Sequence, residues 1–180
     1  MTDTARPAIT TEAELAAEEE WLLASVRMTA RERQGWAYGT LGALLLAHGR
    51  LFTPTPWPGG GNPPGELGNC FIEAVSWAWA SDGALAYVEG AALDAWAREE
   101  SHAWCAGTEG AALDLTWPRP GRAYLGLPVR ADVAQRIMSE TSGPLLYGAE
   151  GLISLTAEGW MRDGLPDGLL VDIGRPVPRD

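Results

Sequence analysis

Residues 69–80 read Asn69-Cys70-Phe71-Ile72-Glu73-Ala74-Val75-Ser76-Trp77-Ala78-Trp79-Ala80, a run without Gly or Pro whose apolar positions form one helical face. Ser81-Asp82-Gly83 stops it. Beyond that point the pattern changes. Residues 85–96, 101–106, 111–117 and 123–129 are short segments separated by turn signals and predict strands, with Thr108-Glu109-Gly110 as a hairpin turn between the second and third. Residues 131–139 return to a helical pattern, with Val133, Ile137 and Met138 inward. A helix followed by consecutive short strands predicts an α+β domain, with a Cys-bearing helix packed on a small antiparallel β-sheet.

Upstream, residues 12–34 predict a helix, with Leu15, Trp21, Leu22, Ala24, Val26 and Met28 at three- and four-residue steps. Thr11 and Glu14 form a capping-box pair, and Gly35 ends or kinks the helix. A second helix over 36–48 carries Gly39 and Gly42. Residues 50–68 hold five prolines and five glycines and predict a long loop. Residues 143–155 fit no single pattern, and the Pro-rich tail from Asp172 is expected to fray. There is no internal repeat. The expected organisation is a single domain over 1–180: N-terminal helices over 1–50, a Pro/Gly-rich loop over 51–68, a catalytic-type core over 69–139 and a C-terminal extension over 140–180.

The 180 residues, 46% of them hydrophobic, suffice for one core and are cramped for two. Asp and Glu number 24 against 13 basic residues, a net charge of -11 that argues against a nucleic-acid partner. Every basic residue is Arg, which excludes a Lys Schiff base or Lys general base. Two cysteines and two histidines are too few for a disulfide framework, a four-thiolate zinc site or a multi-histidine metal site, so no metal or organic cofactor is expected. The polar and then acidic start is unlike a signal peptide. The longest apolar run, residues 41–47, falls well short of the ~20 residues that cross a bilayer. The expectation is a cytoplasmic protein without a membrane partner.

Three residues stand in a chemically meaningful order: Cys70 at a helix start, His102 on a strand and Asp114 on the next. The positive end of the helix dipole favours a thiolate. A histidine in reach can take the proton and return it to a leaving group, and a carboxylate behind the imidazole fixes its tautomer. A turn centred on Glu109-Gly110 sets His102 near Trp117; pairing His102 directly with Asp114 needs a modest slip of register, which a bulge allows.

Gly68-Asn69-Cys70 opening a helix, Tyr87-Val88-Glu89-Gly90 on a strand, then His102-Ala103-Trp104 and Asp114-Leu115-Thr116-Trp117, resemble the transglutaminase-like branch of the papain-like cysteine enzyme superfamily. That core is a Cys-bearing helix packed on an antiparallel sheet, with HAW and D-x-T segments carrying the His and Asp. The likeness covers residues 68–129, roughly a third of the chain. It implies Cys70 as nucleophile, His102 as general base and acid, and Asp114 as the residue that orients His102. It also implies acyl transfer through a thioester, cleaving or forming an amide bond in the manner of proteases, amidases, transglutaminases and other acyltransferases. The stretch from Cys70 to His102 is short for the family, and no side chain stands out as an oxyanion-hole donor, which leaves the Cys70 backbone N–H as the default, with Asn69 or Trp57 as candidates beyond it.

Around these, Asn69, Trp57, Trp104 and Trp117 are candidates to line a substrate cleft, and Glu89 either buttresses the site or faces solvent. The bland readings stay open beside the chemical ones. Cys70 could be a packing residue and Asp114 a turn cap before Trp117-Pro118. Cys105 alternates to the opposite face from His102 and reads as core; His48, at a helix C-terminus, reads as structural. The expected partner is a small-molecule or peptide substrate, a protein-bound acyl donor included. The alternative function is a non-catalytic binding or assembly protein on the same scaffold. Oligomeric state is not encoded.

Overall fold

The computed structural model describes residues 9, 11–58, 61–148 and 152–178. Along them run α1 (Glu12–Thr29), α2 (Leu41–His48), β1 (Arg50–Thr55), α3 (Cys70–Ala80), β2 (Ala86–Leu93), β3 (Glu99–Ala106), β4 (Ala111–Leu113), β5 (Ala123–Val129), α4 (Ala131–Thr141), α5 (Leu155–Asp163) and β6 (Arg175–Pro176). The strands join in the order β4-β3-β2-β5-β1-β6, and a further pairing of β1 with β4 closes the first five into a small barrel. The β1–β4 pair is parallel, with Thr53 against Ala111, and the other pairs are antiparallel.

Period-2 alternation sorts the strand residues between two faces. Phe52, Val88, Ala92, Trp104, Ala106, Ala112 and Tyr124 pack together in the barrel interior. Leu51, Tyr87, Ala91, Leu93, Ala103, Cys105, Leu125 and Leu127 point outward into the core shared with the helices. Gly90 and Gly126 stand opposite one another on β2 and β5. A Cβ at Gly126 would come within 2.8 Å of the Trp104 ring, so the missing side chain makes the room that the indole fills.

Local signals explain the helices. Thr11 and Glu14 close the expected capping box on α1, and Leu22, Leu23 and Val26 form its buried stripe. Thr40 caps α2 by accepting from the Ala43 N–H at 3.3 Å. A Cβ at Gly42 would meet the Val26 carbonyl at 2.9 Å, so this glycine lets α2 cross close to α1. The Cys-bearing α3 lies against β2 and β3, and the amphipathic α4 turns Val133, Ile137 and Met138 to the core as expected.

Several expectations need correction. The first helix ends at Thr29, not near Gly35, and the second starts at Leu41, where Thr40 supplies a cap that Trp36 lacks. Residues 50–55, expected to begin the loop, form β1, bonded to β4, β5 and β6. The tail does not fray among its described residues: Arg175 and Pro176 pair with β1, and the Arg175 guanidinium bonds the Glu19 carboxylate. The C-terminal region also holds α5, capped by Ser154. β4 stops at Leu113, so Asp114 lies beyond the strand. Residues 1–8, 10 and 179–180, residues 59–60 of the expected loop and residues 149–151 of the 143–155 stretch lie outside the described residues. No described helix is long and apolar enough to cross a membrane.

Candidate active site

Cys70 is the first residue of α3 and is buried, with 8% of its surface exposed. Asn69 is the N-cap residue, yet no side chain caps this helix; the Asn69 amide instead donates to Glu66 Oε2 at 2.9 Å. The Gly65 N–H donates to the Leu115 carbonyl at 2.8 Å, which ties the approach to α3 to the chain just past β4. A Cβ at Gly65 would sit 2.5 Å from that carbonyl oxygen. β4 pairs with β3 only at Cys105 and Ala106, so the edge of β3 near His102 is left open. There the helix start, His102 and the 116–119 segment line one cleft.

His102 and Asp114 are both buried, and His102 Nε2 lies 2.7 Å from Asp114 Oδ2. Asp114 is not directly across the ladder from His102, because Cys105 pairs with Leu113. The chain leaves β4 and turns on the aspartate itself: Asp114 Oδ1 accepts from the backbone N–H of Thr116 at 3.0 Å and of Trp117 at 2.9 Å. Oδ2 is thereby left for His102 and for the Tyr124 hydroxyl, which donates at 3.0 Å. The same turn lays the Trp117 indole flat on the imidazole, with ring centroids 3.8 Å apart and planes at 13°. Asp114 is thus both a turn cap and the partner of the histidine.

Charge follows from this geometry. Burial disfavours a protonated His102, but the Asp114 carboxylate, by charge and hydrogen bond, outweighs it, and a hydrogen bond with Cys70 adds to the effect; the imidazole is raised from 6.5 to about 9. Burial pushes Asp114 up, and the imidazolium and the backbone donors overcome it, leaving the carboxyl below its ordinary range. With Nε2 spent on Asp114, Nδ1 is the ring nitrogen left for the sulfur. Cys105 is the opposite case: burial lifts its thiol to about 12, and it donates to the Ala74 carbonyl at 3.2 Å.

The cleft has a volume of about 780 Å³. Cys70, His102 and Trp117 line it together with Phe71, Trp96 and Arg119. Trp96 rides on the β2–β3 hairpin, where Asp94 accepts from the N–H groups of Trp96 and Arg98 at 2.8 and 2.9 Å. A larger cleft, about 1000 Å³, runs past His48 and Arg50 and includes none of the three candidate catalytic residues. His48 is bonded there to the Tyr38 hydroxyl. No group of three or more His, Cys, Asp or Glu among the described residues could hold a metal ion.

Of the residues expected to line the cleft, only Trp117 does so. Trp57 packs edge-on against Trp77, with ring centroids 5.5 Å apart, because the strand preceding it carries it to the outer side of α3. Asn69 is exposed and occupied with Glu66. Trp104 is fully buried inside the barrel, behind the histidine. Glu89 is fully buried: its carboxylate accepts from the Tyr87 hydroxyl at 2.6 Å and from the N–H groups of Leu145, Leu146 and Tyr147 at 2.8, 2.8 and 3.1 Å. Sequence reasoning passed over Tyr124 and Trp96. The inward parity of Tyr124 on β5, two residues before Gly126, was a usable signal; nothing local marked Trp96.

Comparison with family models, with curated proteins and with solved structures gives no match to this chain.

Proposed function

We propose that the protein is a cysteine-dependent acyl-transfer enzyme of the papain-like, transglutaminase-like class, with Cys70 as nucleophile, His102 as acid and base, and Asp114 as its orienting partner. The observation that carries this reading is His102, hydrogen-bonded to a buried carboxylate and lining, together with Cys70, the wall of one open cleft. The order Cys, His, Asp along the chain and the seat of the cysteine at the start of a helix lying on strands support the class.

In the reaction, the one proton shared by Cys70 and His102 rests on the imidazole while Cys70 Sγ attacks the carbonyl carbon of an amide or thioester. The oxyanion accepts from first-turn N–H groups of α3, that of Cys70 foremost, which no side chain caps. As the tetrahedral intermediate collapses, the bond to the leaving group breaks and the imidazolium delivers its proton to the departing amine or thiol. A water molecule or an amine then attacks the thioester, His102 takes its proton, and the sulfur leaves. Asp114 stays ionised throughout. The substrate is a small molecule or peptide, or a protein-bound acyl donor.

Intact-mass spectrometry after incubation with p-nitrophenyl esters and peptide amides tests the reading. One acyl group on Cys70, absent from Cys70→Ala, is the expected result. A full panel without an adduct, or an adduct that persists in Cys70→Ala, contradicts it.

A further inference from the structure

The barrel interior holds a group that the three-residue scheme leaves out. Tyr124 is fully buried, and its ring tilts against Trp104 and Trp117, with centroids 4.9 and 6.2 Å away. Its hydroxyl accepts from the Gly121 N–H at 2.6 Å and donates to Asp114 Oδ2 at 3.0 Å. That is the same oxygen that receives His102 Nε2–H. We infer that Tyr124 is a positioning residue for His102, a neutral donor that draws charge from Asp114 Oδ2 and so sets how tightly the carboxylate holds the imidazolium proton. The inference rests on the catalytic reading of His102 and Asp114 and concerns the regulation of that same pair.

Three features support it. Gly121 sits in a space that fits no larger residue, since a Cβ would lie 2.6 Å from the Leu93 carbonyl, 2.8 Å from Trp117 and 2.9 Å from Tyr124. The donor that fixes the phenol oxygen is therefore itself fixed. Burial and the neighbouring carboxylate keep the Tyr124 hydroxyl protonated far above neutrality, so it donates across the whole working range. Finally, Asp114 does not need Tyr124 to keep its place, because Oδ1 is held by the N–H groups of Thr116 and Trp117. Removing the hydroxyl alone leaves the carboxylate where it is and makes Oδ2 a stronger partner for the imidazolium.

The titratable and charged groups around His102 in this geometry are Asp114, Tyr124 and Cys70, with Glu100 further along the same strand, the paired Asp94 and Arg98 on the β2–β3 hairpin, and Arg119, all lining the same cleft. The Tyr124 hydroxyl bonds to none of Asp94, Arg98, Glu100 and Arg119, so its loss leaves their contacts in place.

Tyr124→Phe keeps the ring and deletes the hydroxyl. Imidazole resonances report the effect in the full-length protein without any need for turnover, and with two histidines in the chain a His48→Gln control assigns them. The expected result is a rise in the His102 midpoint of about half a pH unit or more, a threefold or greater gain in proton affinity. The alkaline limb of Cys70 acylation moves up by the same amount. A folded Tyr124→Phe whose His102 midpoint is unchanged or lower overturns the inference. Uniform 3-fluorotyrosine labelling is the second arm, and it stands in if the variant does not fold. It strengthens the donor, and Tyr124 is the tyrosine bonded to Asp114, so the midpoint should fall; no fall overturns the inference. An imidazole that shifts as expected in a protein that never forms an acyl-enzyme keeps Tyr124 as the tuner of His102 and refutes the enzymatic reading instead.

Discussion

His102 meets the Asp114 carboxylate at Nε2, the Trp117 indole on its face and, across the cleft they both line, Cys70. Each contact has a separate job. The carboxylate fixes the tautomer and favours the charged ring, the indole covers one face and fixes the plane, and in the proposed reaction the sulfur is the partner in proton exchange. Asp114→Asn puts an amide where two donors point at Oδ2. The His102 midpoint should then drop from about 9 to near or below 6.5, with acyl-enzyme formation slowed on the order of 10²–10⁴-fold. NMR titration and single-turnover acylation measure the two effects; a variant with wild-type values of both contradicts the role given to Asp114. The sequence showed His102 and Asp114 as candidates but presented the turn-cap and the histidine-partner readings of Asp114 as rivals. They proved compatible because a carboxylate has two oxygens, and one serves each purpose. That division is set by where β4 ends, which no local pattern announces.

At the scale of elements, α3, β2, β3, β5 and α4 were legible because each announces itself locally, by an apolar stripe, by alternation or by flanking turn residues. β1 was not. Arg50-Leu51-Phe52-Thr53-Pro54-Thr55 enters a run of prolines and glycines, and Pro54 has no N–H to donate to a ladder. The strand exists because β4, β5 and β6 come to it from distant parts of the chain. Trp57 was misread for the same reason: its place depends on the direction in which β1 delivers it. Glu89 shows how a buried charge can organise an element that has no regular structure of its own. Its carboxylate gathers three consecutive N–H groups at 145–147, and burial raises its pKa against the pull of those donors and of Tyr87. Tyr147, on that segment, packs near Phe71 of the cleft wall, with ring centroids 6.3 Å apart. Glu89→Ala strands these donors in the interior and should cost about 3 kcal/mol or more in urea unfolding, with Glu89→Gln losing less. Equal stability of Glu89→Ala and wild type would remove the carboxylate from the support of this segment.

Taken as a whole, the molecule couples its stability to the ionisation of its central pair. His102 binds its proton more tightly folded, at about 9, than its ordinary 6.5, so the stabilisation is complete below pH 6.5 and is lost as pH rises through about 9. Asp114 is depressed, so its contribution is present above the ordinary carboxylate range and is lost as acid protonates it. Melting temperature should therefore decline between pH 7 and about 9.5, and His102→Gln should flatten that decline. An alkaline slope that survives unchanged in His102→Gln assigns it to other groups. Helix α3 meets the barrel along β2 and β3, so the packing that makes the core also sets the thiol at the helix start and the imidazole on β3 along one cleft. The two cysteines, one at the cleft and one locked beneath α3 with its thiol raised to about 12, provide an internal comparison within a single chain. The most direct measurement is the rate of iodoacetamide alkylation at each, read by peptide mass spectrometry on the native protein at neutral pH. Cys70 should react at least about a hundredfold faster than Cys105 and lose most of that advantage in His102→Ala. Equal rates at the two sulfurs, or a Cys70 rate indifferent to His102, would contradict the account.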